Sequence, residues 1–383
     1  MQSYLEFARA LQPEIVSLIR ELVVAESPSF DAAAVNRFVG LVADKLAGAA
    51  KVKTFPGGRF GKHIRCEFKL PGRGKQGQIL ALGHSDTVWE IGQIPYAVSK
   101  ERIAGPGVLD MKSGIAFFIF AMRAMVELDR PVKHAVVLQL NSDEEVGSES
   151  SRALTEEAAQ KSSAVLVLEP GTGLGGKLKT ARKGVGDYVV TVKGRAAHSG
   201  LDFEKGASAV LELARQIERI AGFTNLKRGI TVNPGVISGG TRTNVIAAEA
   251  RVEVDMRVAR LKDAAVLDKK FRSLKPIDKR CSIQVEGELN RPPMERSPEI
   301  RALFKTAQSL AREIGVELEE SAVGGGSDGN FTAALGIPTL DGLGGVGEGA
   351  HAVNESILLD RIADRTALLA GLVGQTIGFR RLP

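Results

Sequence analysis

Only two of the 383 residues are cysteine, and Cys66 and Cys281 fall in different segments of the chain. Such a pair builds no disulfide framework and reads as buried thiols, which fits a reducing compartment. Aromatic residues are scarce too, at 5%. With no basic run interleaved with aromatics, the stacking surfaces that nucleic-acid binding needs are excluded. No apolar run approaches the ~20 residues of a membrane-spanning helix, so a membrane partner is not expected. The stretch MQSYLEFARALQPEIVSLIRELVV lacks the basic region and small-residue cleavage site of a secretion signal, and its spacing is that of an amphipathic helix. The expectation is a cytoplasmic protein, or a periplasmic one if a leader has been removed. Internal repeats and low-complexity tracts are missing as well.

What is present is ordinary for a water-soluble globular chain, with 44% hydrophobic and 25% charged residues. The length suits two or three domains, each with a substantial core. The net charge of +6 is not spread evenly: residues 185–296 hold 20 Lys and Arg against 14 Asp and Glu, and the rest is neutral. That surplus is either a solvated basic surface or a field that favours small acidic substrates.

Up to about residue 184, helical patterns alternate with short apolar runs. Residues 3–24 and 31–49 have helical spacing, with Ser29 or Asp31 placed to cap the second helix. QILALGH (78–84), HAVVLQL (134–140) and AVLVLEP (164–170) read as buried strands, separated by a long apolar helix near 113–128 and another near 149–160. This predicts an α/β domain with a mixed sheet flanked by helices. The pattern then changes. DYVVTVKG (187–194) alternates as a half-buried strand, 206–222 and 262–275 read as helices, and 230–240, 244–258 and 281–289 are strand-like. The order β-α-β-β-α-β predicts an α+β, ferredoxin-like domain. Helix 298–315, the Gly-rich stretch 324–329, strand-like 337–343 and helix 354–377 return to the first style. The expected division is 1–184 and 297–383 for one domain, with 185–296 inserted.

Charged residues directly after apolar strands make poor core, and a strand's end is where a sheet opens to a crevice. Six such positions occur in five motifs: His84 in GHSD, Asp110 in GPGVLDMKSG, Glu144 and Glu145 in NSDEEVGS, Glu169 in LEP and His351 in GAH. Two imidazoles and four carboxylates match what two zinc ions take from a protein. A carboxylate beside a ligating imidazole fixes its tautomer, which suits Asp86. Asp110, between a Gly/Pro-rich loop and a helix, can offer both oxygens to ions ~3.5–4 Å apart. Adjacent Glu144 and Glu145 diverge, so one can ligate while the other accepts a proton from water. Taken singly, each motif is weak; their order and their strand-end context point to a dinuclear metallohydrolase.

GHSDTVW, GPGVLDMKSG, NSDEEVGS and GRAAHSG together resemble the M20 family of zinc metallopeptidases and amidohydrolases, most of all its glutamate carboxypeptidase (carboxypeptidase G2-like) branch. The resemblance spans nearly the whole chain. It implies a zinc-peptidase-like catalytic domain interrupted by a lid or dimerisation domain, a homodimer, and two Zn2+ per subunit, with Co2+ or Mn2+ as substitutes. Carried over motif by motif, His84 and Glu169 bind one zinc, Glu145 and His351 the other, and Asp110 bridges them. Glu144 is then the general base and Asp86 orients His84. His198 of GRAAHSG helps to stabilise the oxyanion of the neighbouring subunit's site. Asn244 and Arg257 meet the substrate carboxylate, with Arg291 and the glycines Gly325 and Gly326 as further substrate contacts. The activity implied is hydrolysis of an amide next to a free C-terminal carboxylate, releasing glutamate from N-acyl or folate-like small molecules. An aminoacylase or dipeptidase needs the same metals, and a metal-binding scaffold without turnover is the alternative outside enzymes.

Overall fold

The computed structural model describes residues 1–375, which divide into two compact units. The first comprises Met1–Ala181, Arg296–Ala322 and Ser327 onward, and the second Arg182–Glu295 with Val323–Gly326. The first break thus falls three residues before the one expected at 184/185, and the Gly-rich 323–326 belongs to the second unit. Hydrogen bonds explain this. Arg182 pairs with Met294 through the backbone, Lys183 N–H donates to Val323 O, and the Arg182 guanidinium donates to the carbonyls of Gly325 and Gly326.

The first unit is built on a six-stranded mixed sheet in the order Ala50–Pro56, Lys62–Phe68, Ala135–Asn141, Gln78–His84, Ala164–Val167, Thr339–Leu340. The last four run parallel, and the first two add antiparallel strands at one edge. Strands such as AVVLQLN and AVLV are buried on nearly every side chain because helices cover the sheet. Two of those helices, Ser113–Glu127 and Ile362–Gly374, are apolar almost all round and pack on each other. The register sets His84 beside Asn141 and Leu82 beside Val167. The carboxyl ends of three parallel strands therefore lie together, and each leads into one of the charged motifs.

Several elements depart from the sequence expectation. Residues 3–24 form two helices, Gln2–Ala10 and Gln12–Val24. Pro13 lacks the N–H that a continuous helix would need, and it sits instead in the first turn of the second. Asp31, and not Ser29, caps Ala32–Lys45 by accepting from Ala34 N–H at 2.9 Å. Near the carboxyl end, the helix expected from 354 starts at Ile362. Ser356–Leu358 is instead a strand, in a four-stranded sheet ordered Gly347–Glu348, Ser356–Leu358, Arg102–Ala104, Ala97–Val98. Residues 376 and 377 of that expected helix lie outside the described residues.

The second unit is an antiparallel sheet in the order Thr231–Gly239, Glu249–Val258, Gly184–Lys193, Ser282–Arg291, joined with helices Ala209–Ala221 and Leu261–Arg272. Its chain order is β-α-β-β-α-β. Alternate residues of Gly184–Lys193 and Glu249–Val258 point into one core, where the rings of Tyr188 and Phe271 stack at 4.1 Å. The two cysteines are buried and unpaired, Cys66 in the first unit and Cys281 in the second. No helix among the described residues is long and apolar enough to cross a membrane.

Candidate metal centre

His84, Asp110, Glu144, Glu145, Glu169 and His351 converge at the carboxyl edge of the parallel strands. His84 closes its strand and turns Nδ1 to the main-chain oxygen of Asp86, at 2.9 Å. A carbonyl only accepts, so Nδ1 carries a proton, and Nε2 is the ring nitrogen that faces the cluster. Nε2 lies 3.1 Å from Asp110 Oδ1 and 3.5 Å from Glu169 Oε1. The other Asp110 oxygen, Oδ2, is 3.4 Å from His351 Nε2, which is 3.1 Å from Glu145 Oε2. One carboxylate thus presents an oxygen to each imidazole, and each imidazole has a glutamate of its own. Ligand atoms of His84, Glu144 and Glu169 lie within 4.8 Å of one another, as do those of His84, Asp110 and Glu145.

The surroundings fix these groups. The Asp86 carboxylate accepts the main-chain N–H of Glu144 and of Glu145, both at 3.2 Å, and the Ser29 hydroxyl at 2.8 Å. It is 3.5 Å from the His84 ring, so its main role in this geometry is to hold the Glu144–Glu145 turn, while the Asp86 carbonyl orients the histidine. Behind Glu169, Gly344 N–H donates to the Glu169 carbonyl at 2.8 Å. A side chain at Gly344 would approach Leu168 O to 2.1 Å, so only glycine fits there. The buried Arg365 guanidinium steadies the same loop by donating to the carbonyls of Gly176, Gly342 and Gly344. His351 sits at φ 61°, a left-handed conformation in which few side chains other than glycine are comfortable.

The sequence did not single out Glu355, which is fully buried. Its Oε1 accepts the N–H of Leu109 (2.8 Å) and of Asp110 (3.0 Å), and its Oε2 that of Gly107 (3.0 Å) and the Trp89 indole (2.6 Å). It therefore shapes the loop that delivers Asp110, whose peptide bond to Met111 is cis. No sequence signal marks it, because Glu355 precedes an apolar run instead of following one, and SIL is too short to be read as a strand.

Among the described residues the cluster is rich in carboxylates. Four carboxylates face two imidazoles that carry at most one charge each. Burial opposes charge on His84, yet its contacts with Asp110, Asp86 and Glu169 hold its pKa well above the ordinary value. Asp110 and Glu145 raise His351 to about 11. Asp110 is buried, but the two histidines keep it far below the usual carboxylate range. Burial pushes Glu145 up to about 7, against the pull of His351. Protons are thus being held where divalent cations would serve, and the donor set of imidazole nitrogen and carboxylate oxygen suits zinc, cobalt or manganese.

The remaining candidates all lie in the second unit. His198 and Asn244 are exposed on facing segments: His198 bridges to Val245, and Ser199 N–H donates to Asn244 O at 3.0 Å. Arg257 spans Asp255, at 3.1 Å, and the carbonyl of Gly324, at 3.0 Å. Arg291 is buried, and a side chain at Gly326 would meet its Cδ at 2.9 Å. The glycines of 324–326 turn carbonyls toward Arg257 and Arg182. Ser327 accepts from Gly329 N–H at the start of the short helix Gly329–Ala334, and Asp328 instead accepts from Asn141 and Ser148.

A mixed sheet whose strand ends gather imidazoles and carboxylates is the arrangement of a metal-dependent hydrolase. Residues 80–375 match the model of Peptidase family M20/M25/M40, and the chain belongs to that family of metallopeptidases. Carboxypeptidase G2 of Pseudomonas sp. (strain RS-16) is 27% identical over 372 residues, which cover 94% of this chain and 89% of that protein. Aminopeptidase PepT of Bacillus cereus ATCC 10987 has the same fold, with a TM-score of 0.78 at 22% identity over 95% of this chain and 98% of its own. The Bacillus subtilis protein YXEP, a dinuclear metal binding peptidase from the M20 family, gives 0.68 at 14% identity over 96% and 98%.

Proposed function

We propose that this M20 hydrolase works with two divalent ions, zinc in the first place, and releases C-terminal glutamate from N-acyl or folate-like conjugates. The observation that carries the two-ion reading is Asp110, whose two oxygens face His84 and His351 separately. Under this reading His84 and Glu169 hold one ion, Glu145 and His351 the other, and Asp110 both. Bound ions would polarise the scissile carbonyl and acidify a water molecule. Glu144, next to its ligating neighbour and within the cluster, takes the proton from the attacking water and returns it to the leaving amine. Asp86 holds the turn that aims Glu144. Arg257 and Asn244 are assigned to the substrate carboxylate, with Arg291, Gly325 and Gly326 as supporting contacts, and His198 to the developing oxyanion in the neighbouring subunit's site. The similarity to carboxypeptidase G2 and the positive surplus of residues 185–296 support glutamate as the released residue.

The same reading includes a homodimer formed through the second unit. Its edge strand Thr231–Gly239 leaves Val236 and Ile237 exposed, and helix Ala209–Ala221 exposes Val210 and Leu211.

The test is glutamate release from methotrexate and from N-acetyl amino acids by metal-loaded protein, alongside Glu144→Ala. The expected result is glutamate turnover that falls by at least about 10²-fold in the variant, with metal content unchanged. Inert glutamate conjugates with active N-acetyl amino acids would make the protein an aminoacylase. Bound metal without any turnover would make it a scaffold.

A further inference from the structure

His198 stands near the tip of an arm, residues 194–207, whose two ends are pinned to each other within the second unit. Arg195 and Ala207 exchange both main-chain hydrogen bonds, each at 2.9 Å. Gly194 N–H donates to Ala248 O at 2.8 Å, and Ile246 N–H to Ala197 O at 3.0 Å. A side chain at Gly194 would come within 2.1 Å of Ala207 O, so the ends close on each other only with glycine there. Two guanidinium groups brace the far side. Arg195 Nε donates to Lys205 O, and Arg280 Nη1 donates to Glu204 O at 3.1 Å and to Gly206 O at 2.8 Å. The arm is a fixed support, although His198 itself is exposed.

Just after His198 the chain turns back on itself. The N–H groups of Leu201 and Asp202 donate to His198 O at 3.3 and 3.0 Å, and Gly200 N–H donates to the ring nitrogen His198 Nδ1 at 3.1 Å. A main-chain N–H only donates, so Nδ1 accepts and is bare, and the proton of the neutral ring is on Nε2. Nε2 has no partner among the described residues. His84 shows the opposite case at the same offset. Two residues beyond it, Asp86 offers a carbonyl in place of an N–H, so there Nδ1 carries a proton and Nε2 is left for a metal. One change of main-chain partner separates a ligand from a hydrogen-bond donor. Space does not explain the glycine at 200, since a side chain there would meet the His198 ring only at 3.6–3.7 Å, an ordinary contact. What the position supplies is its N–H.

We propose that Gly200 is a positioning residue, whose N–H fixes the rotation and tautomer of the His198 ring so that Nε2–H is presented to the oxyanion. The inference rests on the assignment of His198 to that oxyanion, and adds which nitrogen serves and what holds it. A donor set in place beforehand needs no reorganisation when charge develops on the carbonyl oxygen. His198 then donates without relaying a proton, because Gly200 occupies the nitrogen that a relay would use. Proton transfer is left to Glu144.

The chain has five histidines, so the ring 15N signals of the zinc-loaded full chain at pH ~7.5 can be assigned to His198 by their loss in His198→Gln. The expected spectrum shows a bare Nδ1 and a protonated Nε2, with a Gly200 amide that exchanges its hydrogen faster in His198→Gln than in the wild type. Kinetics use whichever conjugate turns over, methotrexate or an N-acetyl amino acid. His198→Gln should lower kcat by about 10²-fold or more. Gly200→Pro, which lacks the N–H, should give mixed ring signals and a kcat about ten-fold lower, with KM within about two-fold. Gly200→Ala restores the N–H and should recover both the ring signals and the kcat lost in the proline variant, a rescue that a purely steric role would not give. A wild-type ring protonated at Nδ1 would overturn the proposal, whether or not the proline variant folds. So would a proline variant with altered ring signals and an unchanged kcat. If His198→Gln keeps the wild-type kcat, the oxyanion assignment itself fails, which the ring spectrum tells apart from a failure of the Gly200 contact.

Discussion

The Glu355 carboxylate is fully buried and accepts four hydrogen bonds, three of them from the main chain of the loop that carries Asp110. Burial raises its pKa, while those donors pull the other way. Glu355→Gln keeps the shape but turns an NH2 toward one pair of N–H donors, and each buried donor so orphaned costs about 1–3 kcal/mol. The expected outcome is a 10–100-fold weaker hold on metal, by analogy with other groups that support ligands, measured by competition with a chromophoric chelator. A shifted visible spectrum of the cobalt-loaded variant would show that the Asp110 loop itself has moved. Unchanged affinity and spectrum would mean that the loop keeps its shape without this carboxylate. At this scale the sequence was informative wherever a charged residue followed an apolar run. It was silent on Glu355 and Arg182, whose partners are main-chain groups brought from far away along the chain.

Among the elements, the turn carrying Glu144 and Glu145 depends on His63, from the strand Lys62–Phe68. The N–H of Ser142 donates to His63 Nδ1 at 3.1 Å, and Ser150 Oγ lies 3.2 Å from Nε2. Burial lowers the His63 pKa below its ordinary value near 6.5, against the pull of Asp143, Asp328 and Asp86. Because the folded pKa is the lower one, the unfolded chain takes up its proton first as pH drops. The contribution of His63 to stability is therefore complete above pH ~6.5 and lost as pH falls toward its folded pKa, by at most about 1.4 kcal/mol per pH unit. Urea midpoints between pH 7.5 and 5.5 should fall more steeply for the wild type than for His63→Gln, and parallel slopes would refute this. Long buried strands and apolar helices such as Ala135–Asn141 and Ser113–Glu127 were legible in the sequence because their burial is written in their composition. The strands of two and three residues at 97–98, 102–104, 347–348 and 356–358 were not, since so short a run has no period and is defined only by its partners.

For the whole molecule, the proposed dimer gives a direct test. Ile237→Lys places a charge on the exposed edge strand of the second unit, and sedimentation should show a dimer in the wild type and a monomer in the variant. A monomeric wild type would remove the dimer from the reading. The amino-acid sequence by itself determined the α/β and α+β patterns, the change of style near residue 184, and the residue types of the six candidate ligands in their five motifs, because periodicity and local charge are properties of short stretches of a chain. Only the tertiary structure decided that Asp110 would divide its oxygens between His84 and His351, that residues 323–326 would join the second unit, and that Phe30, Val88 and Ile91 would gather beside Glu145. Those outcomes depend on strand order and loop closure, which join residues hundreds of positions apart and leave no trace in local spacing.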